Sequence, residues 1–276
     1  MNRFSFNQAT ARDWPVPDLL AGCAAAGVRW VGLWREQVAE YGLERTVKAV
    51  QANGLAVSTL CRGGFFTTGD WYPSNRRAID EAAALGAPVL VLVCGGLPAG
   101  RRSLDAARDQ VVRAVEALAP HASAAGVRLA VEPLHPMFAA DRCVVCTLAQ
   151  ALDIAERFDP ETVGVAIDTY HVWWDDTLYR QIARAAGRIA IFQLADWATP
   201  LPAGALTGRA MPDAGCVELS RIWAAVDDTG YRGPVEVEIF NEDVWSWPGE
   251  RALSAAVAGY QAVRVQLRAA GRVSSG

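Results

Sequence analysis

Eight short apolar runs alternate with eight segments of helical periodicity along this chain, and few folds accept such a pattern. The runs are Phe4–Ala9, Trp30–Trp34, Leu55–Cys61, Pro88–Cys94, Val127–Glu132, Val163–Asp168, Ile189–Leu194 and Pro234–Ile239. Between them apolar residues recur at helical steps, as at Leu19, Leu20, Cys23 and Ala26 in Pro15–Ala26, and at Val111, Val112, Val115 and Leu118 in Leu104–Ala125. Further helices are expected over Gly42–Asn53, Pro73–Leu85, Leu148–Phe158 with Thr147 as N-cap, Asp176–Ala186, Leu219–Thr229 closed by Gly230, and Glu250–Leu267. The strands are near-continuous apolar runs, which suits parallel strands covered on both faces. Strict alternation leaves a closed barrel or an open doubly wound sheet. No glycine-rich phosphate turn follows the first strand, so the dinucleotide-binding sheet loses ground. Eight units close naturally into a single α/β domain over residues 1–276, a (β/α)8 TIM barrel, with about 270–276 expected to fray.

Composition narrows the function. A net charge of −4 gives no reason to expect a nucleic acid or an anionic membrane as partner. No apolar run has the length of a membrane span, and MNRFSFNQAT lacks the charged-then-apolar order of a secretion signal, so a cytoplasmic protein is expected. Six cysteines are scattered, and the Cys143-x-x-Cys146 pair has neither a second ligand pair nor a redox context, so plain thiols are expected.

The chemistry sits at the strand ends. Strand five ends in Glu132, strand six in Asp168, strand seven in Gln193 and strand eight in Glu238. In a parallel barrel these ends share the C-terminal rim, where active sites are built. Three carboxylates there would repel and raise one another's pKa unless a cation joined them. One divalent metal on Glu132, Asp168, Gln193 and Glu238 resolves that conflict. Two of the three histidines, His135 and His171, lie at the same rim, while His121 falls on a helix. Several of the ten tryptophans also follow strand ends, among them Trp34, Trp173, Trp174, Trp197 and Trp245. Their faces suit the C–H faces of sugars or flat ring systems. Glu236 shares the strand parity of Glu238 and is expected to point inward, one layer deeper, beside an arginine.

The stretches AVEPLHP, AIDTYH, FQLAD and VEIF resemble the sugar phosphate isomerase/epimerase group of xylose-isomerase-like TIM barrels, a likeness that covers nearly the whole chain. The resemblance implies one divalent ion, Mn²⁺ first, with Mg²⁺, Co²⁺ or Zn²⁺ as the other candidates. Glu132, Asp168 and Glu238 match the group's ligands directly. Gln193 stands where most epimerases have His and resembles the dehydroshikimate dehydratases of the same superfamily. An amide oxygen makes the site harder and suits Mn²⁺ or Mg²⁺. The resemblance also places His171, in Asp-x-x-His, and Arg209, in GRAMPDAG, against the substrate; Trp34, Trp174 and Trp197 are expected to line the pocket from their places at the strand ends. The resemblance leaves room for a homo-oligomer.

The expected reaction is proton abstraction beside a metal-polarised carbonyl of a small sugar, keto-sugar or cyclitol, through an enediolate. Glu132 and Glu238 are expected to act as acid and base, with His135 as a further acid/base or hydroxyl partner. Return of the proton gives an isomerase or epimerase. Loss of a β-leaving group gives a lyase, either dehydroshikimate-dehydratase-like or cleaving C-glycosidic bonds of 3-keto-glycosides. A barrel serving only as a binding or partner subunit is the remaining class, opposed by the three converging acids. The histidine-rich, basic endonuclease branch of the superfamily does not fit three histidines and a net charge of −4.

Overall fold

The computed structural model describes residues 2–273. Eight parallel strands close into a barrel: β1 (Phe4–Asn7), β2 (Trp30–Trp34), β3 (Ala56–Gly64), β4 (Val89–Val93), β5 (Arg128–Glu132), β6 (Val163–Asp168), β7 (Ile189–Leu194) and β8 (Val235–Val237). Each strand pairs with its neighbours in sequence, and β8 closes on β1 through Phe4–Val235, Ser5–Glu236 and Phe6–Val237. Helices cover the outside. The fold class read from the alternation is therefore the one observed.

Local sequence sets most of the element ends. Thr147 accepts from the backbone N–H of Gln150 at 3.2 Å and starts the helix Leu148–Ala155. Ser103 does the same for Leu104–Ala124, accepting from Ala106. Gly230 follows the helix Leu219–Asp228 with φ of +86°. Gly42, at φ +103°, starts the expected helix, observed as Leu43–Ala52, and separates it from a further helix, Arg35–Tyr41, that the sequence reading did not include. The last helix runs Gly249–Val273; residues 274–276 of the expected frayed tail lie outside the described residues. Among the described residues, no helix is long and apolar enough to cross a membrane.

Two cores divide the packing. The larger lies between strands and helices and includes the buried Phe4, Phe6, Leu33, Leu60, Phe192 and Trp223. The smaller lies inside the barrel and consists of Cys61, Val89, Val91, Ala130, Ala166, Ala190 and Ile191. The rest of the interior, on the β1, β2, β3 and β8 side, is polar. Glu236 is fully buried and accepts from Asn7 Nδ2 (2.9 Å), Ser5 Oγ (3.3 Å), Ser58 Oγ (2.5 Å), Thr59 Oγ1 (3.0 Å) and Gln193 Nε2 (3.1 Å). Glu236 points inward as its parity requires, but neutral donors surround it where an arginine was expected. Several neutral hydrogen bonds to one carboxylate satisfy it without burying a second charge.

Gly32 on β2 gives this plug its room. A Cβ there would lie 2.4 Å from Glu236 Oε2 and 2.8 Å from Asn7 Nδ2. Gly32→Ala is therefore expected to cost about 1–3 kcal/mol, the range for an overpacked interior. The readout is the urea midpoint at unchanged slope, and a wild-type midpoint would show that the plug has slack.

Candidate metal centre and active site

Three of the four expected strand-end donors are the last or near-last residues of their strands, as the apolar runs predict. Glu132 ends β5, Asp168 ends β6, and Gln193 is the penultimate residue of β7. Glu238 follows β8 directly, two residues beyond Glu236 and thus on the same face, nearer the rim. Asp168 is in register with Gln193, and Gln193 with Glu236, so these side chains project to the same side. All four expected donors are buried, with exposures of 5% or less.

Ligand atoms of Glu132, Asp168 and His171 all lie within 4.8 Å of one another. His171 belongs to this group because Asp168 caps the short helix Thr169–Val172, accepting from the Tyr170 N–H at 2.9 Å, which returns residue 171 to the same rim. The sequence motif had marked it as a substrate contact.

Arg209 occupies the centre of the arrangement. The long loop after β7 folds into a two-stranded ribbon, Asp196–Trp197 against Arg209–Ala210, that carries Arg209 over the barrel mouth. Its backbone is tied to the segment after β8 by Arg209 N–H to Phe240 C=O (3.3 Å) and Asn241 Nδ2 to Arg209 C=O (2.9 Å). The guanidinium is 2% exposed as a residue, with Nη1 2.7 Å from Asp168 Oδ2 and 3.1 Å from Glu238 Oε2. The resemblance implied an arginine against the substrate; the structure places it between two of the acids.

Electrostatics follow from this crowding. Burial raises Glu132 well above the usual carboxylate range, and Asp168 and Glu238 push it further against the pull of Arg209. Burial likewise lifts Glu238 to about 8, with Arg209 opposing and Asp168 and Glu236 adding to the rise. Asp168 is raised by burial, held back by Arg209 and the Tyr170 N–H. Burial alone would lower Arg209, but Asp168, Glu238 and Glu132 outweigh it and raise it. Burial, then Arg209 and His135, keep His171 neutral by lowering it well below its ordinary value. The two nitrogens of that ring face two donors, the His135 N–H on Nδ1 and Arg209 Nη2 on Nε2, both at 3.2 Å. A neutral imidazole has one acceptor nitrogen, so only one of these contacts is a hydrogen bond in a given tautomer.

The donor set fits a divalent cation. Among the described residues, Arg209 is the one permanently charged side chain paired with any of these three buried carboxylates. Asp168 Oδ2 lies near Arg209 but without an aligned hydrogen bond. Gln193 Oε1 is buried and has no hydrogen-bond partner. Its orientation is dictated from below, because Glu236 can only accept and so takes the Gln193 amide N–H. The amide oxygen is left as an unused neutral donor.

The other expected residues divide. Trp34 lines a cavity together with Glu132, Glu238, His171 and Arg209, and its indole N–H donates to Asn7 Oδ1 at 2.8 Å. Trp174 and Trp197 pack instead around His135, at ring-centroid distances of 5.4 and 5.2 Å, beside that cavity. Burial lowers the half-buried His135. The cysteines are all free thiols. Sequence reading missed Arg62 and Arg142, which also line the cavity. Arg62 follows the apolar run Leu55–Cys61 directly and lies within β3, a signal as good as that of the acids, whereas Arg142 lies in a loop with no pattern to mark it.

A family model described as xylose isomerase-like TIM barrel matches residues 20–262. The chain belongs to that family. Among curated members of known name, it is 30% identical over 245 residues to a 3-dehydroshikimate dehydratase of Pseudomonas aeruginosa, covering 82% of this chain and 36% of that protein. It is 28% identical over 135 residues to an inosose isomerase of Halalkalibacterium halodurans, covering 48% and 46%. The match thus spans about a third of the length of the dehydratase and just under half of that of the isomerase. A crystal structure of a Sinorhizobium meliloti protein superposes with TM-score 0.91 at 46% identity, covering 95% of this chain and 98% of that one. The xylose isomerase-like fold also relates it to the IolI protein solved with a zinc atom, at TM-score 0.82, 21% identity and 95% and 97% coverage.

The raised carboxylates make stability depend on pH. A folded-state pKa above the unfolded value stabilises fully below the unfolded pKa, and that contribution is lost as pH rises through the folded pKa. For Glu238 the window runs from the ordinary 4.5 to about 8. Metal-stripped protein is expected to lose thermal stability across that window, and added Mn²⁺ to flatten the loss. An unchanged slope with Mn²⁺ would show that the acids do not share a cation.

Proposed function

We propose that this protein is a divalent-metal-dependent isomerase or epimerase of a small keto-sugar or cyclitol, working by proton transfer beside a carbonyl. The observation that carries the reading is the convergence of Glu132, Asp168 and Glu238, buried, with the unpaired amide oxygen of Gln193 beside them. Glu132, Asp168, Gln193 and Glu238 would hold the ion; Glu132 and Asp168 are already grouped with His171, which would join them, while Glu238 reaches the site beside Arg209. When bound, the cation supplies Lewis acidity that eases removal of the proton beside the carbonyl. Mn²⁺ suits this largely oxygen set, and Mg²⁺, Co²⁺ and Zn²⁺ are the other candidates.

The chain's own residues then have distinct work. Glu132 and Glu238 come from strands on different sides of the cavity, so one takes a proton from one face and the other returns it. A carboxylate with a pKa near 8, as Glu238 has before charge is added, is matched to proton transfer near neutral pH. Arg209 steadies Asp168 and Glu238 and brings positive charge to the enediolate. Trp34 and Phe240 wall the cavity and exclude water. Trp174 and Trp197 hold His135 at the rim, where it meets substrate hydroxyls. Small carbohydrates or cyclitols fit the names of the inosose isomerases and of L-ribulose 3-epimerase, a structure of the same fold.

A lyase is the second reading. It is favoured by Gln193 at the third ligand position and by the likeness to a 3-dehydroshikimate dehydratase over 82% of the chain. Both readings share the first step. Elimination follows if the enediolate expels a β-hydroxyl instead of being reprotonated.

The test combines metal content with isotope exchange. The purified protein is expected to hold about one divalent ion per chain, lost in a Glu132→Gln/Asp168→Asn variant. Deuterium wash-in from D₂O into inosose or a ketose should fall by about 10²–10⁴-fold in Glu132→Gln, the range for loss of a general base. Conversion of 3-dehydroshikimate without wash-in into recovered substrate would select the lyase. A protein that takes up no ion after incubation with Mn²⁺ and dialysis would sink both.

A further inference from the structure

The cavity mouth carries two guanidiniums that the acids do not need. Arg62 follows Cys61 at the end of the barrel wall, and Arg142 comes from the loop between strands five and six; both line the cavity with Glu132 and Glu238. Arg62 lies over two aromatic rings, its Cζ 5.3 Å from the Trp34 ring centroid and 4.9 Å from that of Phe65. Such cation–π contacts do not use up the N–H donors, which are left to meet something else. Among the described residues its one acidic neighbour within 4.0 Å is Glu36, at 3.6 Å, whose side chain is 60% exposed and so neutralises weakly.

Arg142 has less. Among the described residues its guanidinium makes no ion pair within 4.0 Å and donates no hydrogen bond, although the residue is half-buried. Burial and the nearby charge of Arg62 both lower its pKa, and exposed Asp141 only partly offsets them. Two like charges therefore face one cavity at a cost, which an anion between them would remove.

The loop that carries Arg142 is built to hold it there. Arg142 and Cys143 N–H both donate to Phe138 C=O (2.9 and 3.0 Å), and Val144 N–H donates to Gly95 C=O (2.9 Å). Gly96 permits the approach, since a Cβ there would lie 2.6 Å from Ala140 C=O and 2.7 Å from Arg142 N. Such anchoring lowers the entropy lost when the side chain binds.

The local imbalance gives the sign of the ligand. Asp168 and Glu238 are paired with Arg209, and Glu236 is met by its neutral donors, whereas Arg62 has only the exposed Glu36 and Arg142 has no acid within 4.0 Å among the described residues. A neutral sugar would leave these two guanidiniums without a partner. We propose that Arg62 and Arg142 form a subsite for an anionic oxygen group, a carboxylate or a phosphate, so that the substrate is an acidic keto-polyol and not a neutral sugar. This rests on the metal-dependent reading above for its place in the active site. The planar N–H fork of arginine suits either group through paired, charge-assisted hydrogen bonds.

The test measures binding, not turnover. Calorimetry with the Mn²⁺-incubated protein compares shikimate with methyl shikimate, and inositol 1-phosphate with inositol; each pair differs in one anionic group. At least one acidic probe is expected to bind about tenfold or more tightly than its neutral partner, equivalent to 1.4 kcal/mol. Arg142→Gln and, separately, Arg62→Gln should remove that preference and leave the neutral partner within about twofold. Two variants at different loops guard against a folding defect in one, and each is checked by thermal melting. Preference within the first pair assigns a carboxylate, and within the second a phosphate. Equal binding within both pairs, binding of no acidic probe, or a preference that survives both substitutions would overturn the proposal. Failure of Mn²⁺ uptake would instead sink the metal-dependent reading, and the same titrations without Mn²⁺ would still report on the arginines.

Discussion

A single buried guanidinium sets the arrangement of this site. Arg209 lies 2.7 Å from Asp168 and 3.1 Å from Glu238, and without it these buried acids would have no guanidinium within ion-pair distance among the described residues. Removing carboxylates from water is costly unless each finds a partner of opposite charge or loses its charge. Both remedies are visible here. Arg209 offsets part of the charge, and burial raises the pKa of Glu132 and Glu238, which favours their protonated forms where no other cation is bound. The ribbon after the seventh strand is the structural means of keeping the arginine there.

Beneath the acids lies a second carboxylate arrangement of the opposite kind. Glu236 is satisfied by hydroxyls and amides alone, and this neutral cradle does two things. It fills the interior on the side of the barrel that lacks large apolar side chains. It also takes the N–H of Gln193, so the amide oxygen is the atom left free. A partner behind a ligand that fixes which atom is presented is the usual arrangement around metals. The barrel interior is thus polar on one side and packed with small apolar residues on the other, with the acids above.

Family membership and geometry together restrict the chemistry without choosing the product. The xylose isomerase-like barrel accounts for the strand order and the common rim. The pattern of charges around the cavity, more than the fold, bears on which small molecule it accepts. Arg62 and Arg142 face the same space as the acids, and their lack of strong partners is a property of this chain's loops.

The sequence by itself determined the fold class and the strand-end acids, because both follow from short-range rules. Alternating periodicities dictate alternating strands and helices, and parity along a strand dictates that Glu236 and Glu238 point the same way. Three strands have the boundaries read from the apolar runs alone, Trp30–Trp34, Val163–Asp168 and Ile189–Leu194. What lay beyond reach was anything carried by chain that lacks a period. Arg209 was legible as a loop arginine, but its seat between Asp168 and Glu238 depends on a ribbon closed by contacts between residues 196–197 and 209–210. Arg142 reaches the cavity through a loop anchored on Gly95 and Gly96, and the donors around Glu236 come from β1, β3 and β7. Those partners are chosen by barrel closure, which brings distant strands together with a stagger that no local pattern encodes.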